Sequence, residues 1–196
     1  MLQYFAIFKP YGMLSQFSRE GANTTLADLN YKFPKDVYPV GRLDADSEGL
    51  LLLTNDKRVN SRLLHPAAKH LRKYVVQVEG NMSNDALNKL ESGIFLKDKD
   101  KTFKTLPAKV HIIEMPAIPD RNPSIRFRKN IPTSWIEIAI YEGKNRQVRK
   151  MTAAVGFPTL RLIRIEIENF RLTNMENGWV EEVKKSDFYS KLKLKA

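Results

Sequence analysis

Gly41-Arg42-Leu43-Asp44-Ala45-Asp46-Ser47-Glu48-Gly49-Leu50-Leu51-Leu52-Leu53-Thr54-Asn55-Asp56 sets a group of acids directly ahead of four consecutive leucines. A short unbroken apolar run bounded by turn residues reads as a buried strand. Three readings of the acids compete. Asp44, Asp46, Glu48 and Gly49 imitate the early positions of an EF-hand loop, but Asn55 stands where the bidentate glutamate belongs and the leucines occupy ligand positions, so calcium is excluded. In the second reading the acids turn and cap the chain while the leucines fill the core and Arg42 pairs with a neighbouring carboxylate, which spacing alone favours. In the third, an acid at the mouth of a rigid apolar strand performs chemistry, as a lone carboxylate or as a glycosidase-like pair. The stretch by itself does not decide between the last two.

Outward from it, Gln3 to Phe8, Tyr74 to Val78, Val110 to Met115, Trp135 to Ile140 and Leu160 to Ile167 read as further strands. Helices are predicted over Asn84 to Ser92, between a Ser83 cap and Gly93, and over Arg146 to Val155, between Asn145 and the stop at Gly156 and Pro158. Strands and helices do not alternate strictly, which predicts an α+β fold with mainly antiparallel pairing. Lys97 to Lys104 reads as a charged loop and Pro116 to Pro132 as a long irregular connection, both candidates for touching substrate. Lys184 to Ala196 carries five lysines against Asp187 and reads as a solubilising tail that frays or forms a loose helix.

The 196 residues suffice for one substantial domain or two closely packed subdomains. There is no cysteine, which removes disulfides, thiolate metal sites and cysteine nucleophiles and suits a reducing cytoplasm. No apolar run approaches a membrane span, and the first residues lack the basic start of a signal peptide. A soluble cytoplasmic protein is expected, working as a monomer. No GxGxxG or P-loop glycine pattern is present, and His65, His70 and His111 form no HExxH pattern, so neither cofactor nor metal is expected.

The formal net charge of +11 favours a polyanionic partner. Between Arg121 and Lys150 eight Lys or Arg residues stand against Glu137 and Glu142, and most are arginines, which bind phosphate bidentately. Within this segment Tyr141-Glu142-Gly143-Lys144-Asn145-Arg146-Gln147-Val148-Arg149-Lys150-Met151-Thr152 is the densest part. Val148, Met151, Thr152 and Val155 follow core spacing, leaving Arg146, Arg149 and Lys150 on or beside the opposite face. That face is either a solvated cationic surface or, with the glycine and asparagine ahead of it, a phosphate site.

Taken together, Gly41-Arg42-Leu43-Asp44 with Ser47 and the run to Asp56 resembles the signature of the RsuA-type bacterial ribosomal RNA pseudouridine synthases. Lys9-Pro10-Tyr11-Gly12, the Lys73-to-Gly80 segment and Glu142 to Gly156 agree with it in order, so the likeness spans nearly the whole chain. The stretches from Arg121 to Trp135 and from Val155 to Arg164 resemble the E type among the synthases of the large ribosomal subunit. The resemblance implies a mixed, mainly antiparallel sheet in two subdomains flanking a catalytic cleft, and isomerisation of a uridine in ribosomal RNA of the large subunit. It also implies roles: Asp44 as the catalytic aspartate, Tyr74 as the tyrosine of the cleft, Arg149 as the basic residue beside the aspartate, and Arg42 as support for a flipped-out nucleotide. Lys144, Asn145, Arg146 and Lys150 are then expected to hold the RNA. Asp46 and Glu48 are expected to be turn and surface groups. Two departures stand out: Phe8 replaces the asparagine usual before Lys9-Pro10, and the signature begins within the first ten residues, leaving no N-terminal S4 domain in this sequence. The catalytic domain is expected over 1–183, with the lysine-rich tail over 184–196.

Overall fold

The computed structural model describes residues 1–98, 101–125 and 128–195. In chain order the strands and helices are β1 (Tyr4–Lys9), β2 (Tyr38–Pro39), β3 (Glu48–Thr54), α1 (Lys57–Leu64), β4 (Arg72–Glu79), α2 (Asn84–Ser92), β5 (Phe95–Asp98) and β6 (Lys101–Lys104). There follow β7 (Lys109–Ile113), β8 (Thr133–Ile140), α3 (Gln147–Ala154), β9 (Thr159–Ile167), β10 (Phe170–Arg171), β11 (Val180–Glu182) and α4 (Lys185–Lys191).

One sheet runs in the order β11-β1-β3-β9-β4-β8-β7, with β2 and β10 attached to β3 and β9. Its neighbours pair antiparallel except β3 and β9, which run parallel and meet at Glu48 opposite Ile163 and Gly49 opposite Arg164. The sheet is therefore two antiparallel halves joined by a short parallel seam, the mixed α+β arrangement expected. Gly49 makes the seam possible: its φ is +98°, and a Cβ there would lie 2.3 Å from the Arg164 carbonyl oxygen.

Every residue of β3 is buried, because both faces of the sheet are covered. Leu51 and Leu53 join one core with Val76, Ile138, Leu90 of α2 and Met151 of α3. Leu50 and Leu52 join the other with Val75, Ile163, Val59 and Leu63 of α1, and Phe188 of α4. The predicted α2 is found with its boundaries, its Ser83 hydroxyl accepting from the Ala86 amide. α1 has no counterpart among the predicted helices; Asp56 caps it by accepting from the Arg58 amide, and Val59 and Leu63, four residues apart, supply its buried stripe.

Two expectations are corrected. Lys97 to Lys104 belongs to the β5–β6 hairpin rather than to a loop, with Leu96 opposite Phe103, although Lys99 and Asp100 lie outside the described residues. The lysine-rich end is not a loose solvated tail: Phe188 and Leu192 are fully buried, and the Tyr189 hydroxyl donates to Asp56 at 2.5 Å. Its lysines point outward while an apolar stripe anchors α4 beside β1. Pro116 to Pro132 carries no strand or helix among its described residues, and Arg126 and Phe127 lie outside them. No described helix is long and apolar enough to cross a membrane.

Candidate active site

The loop from Gly41 to Ser47 leads into β3 at the seam between the half-sheets, and backbone contacts fix its course. The Ser15 hydroxyl donates to the Leu43 carbonyl at 2.8 Å and accepts from the Leu43 amide at 3.0 Å. The Gly12 amide donates to the Ala45 carbonyl at 2.7 Å, and the Ser47 amide to that of Asp44 at 3.0 Å. Below the loop lies Lys9, fully buried, whose ammonium donates to the carbonyls of Met13 (2.7 Å), Pro10 (2.9 Å) and Ala45 (3.4 Å). Burial pulls the Lys9 pKa down to about 7, opposed by the charges of Glu48, Asp46 and Asp44. Phe8, the departure just before it, is buried and pairs through its backbone with Gly178 and Trp179, a place with no room for a solvated side chain.

Leu43 turns inward, and Asp44 is left at the surface of a cavity of about 1060 Å³ with 38% of its side chain exposed. The same cavity is lined by Arg42, Tyr74, Lys144, Asn145, Arg146, Leu162 and Arg164. Tyr74 is buried in its wall and pairs across strands with Arg164 of β9. The Arg164 guanidinium is buried, donates through Nε to the Leu50 carbonyl at 2.8 Å, and also interacts with the Tyr74 hydroxyl. Burial holds its pKa below the usual arginine value, Tyr74 opposing this. Its Nη2 has no hydrogen-bond partner among the described residues. A buried guanidinium nitrogen left without an acceptor carries a desolvation cost.

The cations divide differently from the sequence expectation. Arg146, expected at a phosphate, makes a bidentate pair with Asp46 (2.9 and 2.7 Å) and brings Nη1 to 3.7 Å from the Asp44 carboxylate. Arg149, expected beside Asp44, donates to the Asp46 carbonyl at 2.5 Å and sets Nε 3.4 Å from the Asp46 carboxylate, acting on Asp44 only through its charge. Arg146 precedes the first turn of α3 in the left-handed region, φ +51°, so its side chain leaves the phase of the helix and reaches the loop. Burial opposes ionisation of Asp46, but the hydrogen bond from Arg146 and the charges of Arg149 and Arg146 outweigh it and hold the carboxyl below its ordinary range. Lys144 sits 3.3 Å over the Phe103 ring and 3.8 Å from Glu142, and Lys150 is half-buried on α3 outside the cavity lining.

Asp46 does sit in the turn ahead of β3, a third exposed, but is held there by both arginines, whereas Glu48 is not a surface group. Glu48 is fully buried and accepts two hydrogen bonds from Arg161 of β9, at 2.9 and 2.7 Å, across the seam. Two arginines at positions 161 and 164 inside a largely apolar strand were the available signal, since a buried charge needs a partner. Among the described residues, no three acids or histidines are grouped to hold a metal.

Comparison with known proteins agrees with this geometry. The family described as RNA pseudouridylate synthase matches residues 3–154. A Vibrio parahaemolyticus protein named ribosomal large subunit pseudouridine synthase E is 50% identical over 175 residues, covering 89% of this chain and 71% of that one. A Bacillus subtilis protein named ribosomal large subunit pseudouridine synthase B is 35% identical over 180 residues, covering 92% of this chain and 67% of that one. A solved structure titled as a pseudouridylate synthase superposes with a TM-score of 0.79 at 25% identity, covering 98% of this chain and 74% of the other. With a seam-borne aspartate in a cationic cleft and a family match across most of its length, this chain belongs to the RNA pseudouridylate synthases.

Proposed function

We propose that Asp44 carries the isomerisation of a uridine in large-subunit ribosomal RNA, the substrate named for the relatives in Vibrio and Bacillus. The observation that carries the reading is the position of Asp44: a partly exposed carboxylate on a loop fixed by Lys9, Gly12 and Ser15, facing a cavity with Tyr74 and Arg164 in its wall. The reaction breaks the C1′–N1 bond, turns the uracil and joins C1′ to C5, which loses its proton. Asp44 acts as the nucleophile or base at the ribose or the ring. Tyr74 supplies an aromatic wall for the extruded base and a hydroxyl near the exchanging proton. Arg164, bonded to the Leu50 carbonyl and to the Tyr74 hydroxyl, keeps the tyrosine in that wall. Arg146 and Arg149 hold the loop through Asp46, and Arg42, unpaired among the described residues, fills the place the base leaves in the stack. Lys144, Asn145 and Lys150 flank the RNA path. The absence of cysteine and the RNA substrate support action in the cytoplasm, and we read the chain as a monomer.

The test is Asp44→Asn, nearly isosteric but uncharged. RNA labelled with tritium at uridine C5 should release it to water with the parent protein. The variant should fold and bind RNA but lose more than the roughly 10²–10⁴-fold due to a lone general base, because one carboxylate serves several steps. Substantial release by well-folded Asp44→Asn would sink the assignment.

A further inference from the structure

A second cavity, of about 1090 Å³, lies beside the catalytic one and shares Ser15, Gly41, Arg42 and Leu64 with it. Its wall is aromatic: Phe33 packs edge to face on Phe17 and at a tilt on Tyr31, and Tyr38 on the short edge strand β2 is 57% exposed. Lys32, Lys35 and Arg42 stand on its rim, with no hydrogen-bond or ion-pair partner among the described residues, and no acid contributes to the lining. Asn60 of α1 lines it too, and its amide oxygen is shielded from solvent and accepts no hydrogen bond among the described residues.

We propose that this groove binds a second unstacked base of the substrate RNA, a nucleotide neighbouring the one whose uracil enters the Asp44 cavity. The inference rests on the reading of that cavity as the catalytic one. An aromatic wall gives any base a stacking face, and unpaired cations beside it attract the phosphates that connect one nucleotide to the next. Arg42 stands where the two cavities meet, so the strand entering one passes directly into the other. A purely structural apolar cavity would have no need of an acid-free lysine rim.

The full chain with Tyr38→Ala, Tyr38→Phe or Lys35→Ala is titrated with a large-subunit ribosomal RNA transcript by filter retention, and single-turnover tritium release is followed on the same RNA labelled at C5. Tyr38→Ala should raise Kd by roughly 5- to 100-fold, the range for losing one stacked base, and lose less in rate at saturating RNA. Tyr38→Phe should stay within about twofold. Lys35→Ala should reduce the slope of log affinity against log salt by about one. Irradiating the parent with a transcript containing sparse 4-thiouridine should join RNA to the Tyr31 or Tyr38 peptide, a readout that survives even if Tyr38→Ala misfolds. Parent-like affinity and salt slope in all variants, with cross-links confined to the Asp44 cavity, would overturn the proposal. So would a dimer that Tyr38→Ala dissolves without change in RNA affinity. A parent that binds RNA at the groove but releases no tritium would overturn the reading of the Asp44 cavity instead.

Discussion

Glu48→Gln breaks the two-bond pair that crosses the seam and leaves Arg161, 5% exposed, without its counter-charge. Removing one partner of a buried ion pair costs about 3–5 kcal/mol, because the remaining charge stays desolvated. For a chain of this size each kcal/mol shifts the melting temperature by ~2–4 °C, so the expected drop is roughly 6–20 °C. The pair joins the start of β3, immediately after the Asp44 loop, to β9, which carries Arg164. The variant should therefore also slow tritium release per folded molecule at temperatures well below its transition. Replacing both partners, as Glu48→Met with Arg161→Met, removes the stranded charge and should recover much of the lost stability, though not the rate. Thermal unfolding by circular dichroism and single-turnover tritium release measure the two parts. A shift under about 2 °C for Glu48→Gln, or a double variant no more stable than the single one, would refute the account of the seam as charge-locked.

Asp56 ties α1, β1 and α4 together by accepting from Tyr4, Tyr189 and Arg58. The hydrogen bond from Arg58, with those of Tyr189 and Tyr4, holds its carboxyl far below the ordinary range against the opposing effect of burial. A lowered folded pKa stabilises above the unfolded value, about 3.9, and that contribution is lost as pH falls through the folded value. Asp56→Asn should cost about 1.5–3 kcal/mol at neutral pH in urea unfolding, with the difference from the parent shrinking below about pH 4; a pH-independent difference would contradict this. Arg146→Ala removes the guanidinium 3.7 Å from Asp44 and the bidentate hold on Asp46. It should lower the single-turnover rate on the order of 10²-fold, as a misplaced reacting group does, and weaken RNA affinity much less; the reverse pattern would make Arg146 a phosphate contact.

How much of this was legible in the sequence depends on whether the deciding contact was local. α2 is readable because both of its ends are marked within the chain, by Ser83 and Gly93. The strands are readable because alternation and apolar runs are local too. α1 shows only Val59, Leu63 and the exposed Leu64 among charged and polar neighbours, a buried stripe too narrow to outweigh its composition. In α4 the lysines mask Phe188, Tyr189 and Leu192, and only the fold reveals the surface they meet. Glu48 and Arg161 lie 113 positions apart, so neither shows its partner. Asp44 stands out by its place before a buried strand, but spacing alone favours a structural acid over a catalytic one, and it is the long family signature that points to the second. Helical spacing put Arg146 and Arg149 on one face, which failed for Arg146 because a residue at φ +51° is not in helical phase.

That displacement of Arg146 bears on why two acids share one loop. A carboxylate saturated by a bidentate guanidinium has its lone pairs committed and makes a poor nucleophile or base. A carboxylate with no cation to orient it has nothing to hold its rotamer toward the reacting atoms. The loop separates these demands. Asp46 takes the short contacts of both arginines and anchors α3 to the loop, while Asp44, two residues earlier, receives one guanidinium at 3.7 Å and keeps much of its surface open to the cavity. Lys9 holds the backbone between them from below through the Ala45 carbonyl, so the two side chains cannot exchange places without breaking that contact. Asp46 serves as the electrostatic anchor that leaves the Asp44 carboxylate open to the cavity, and on the proposed role of Asp44 a change at position 46 should disturb chemistry through position 44.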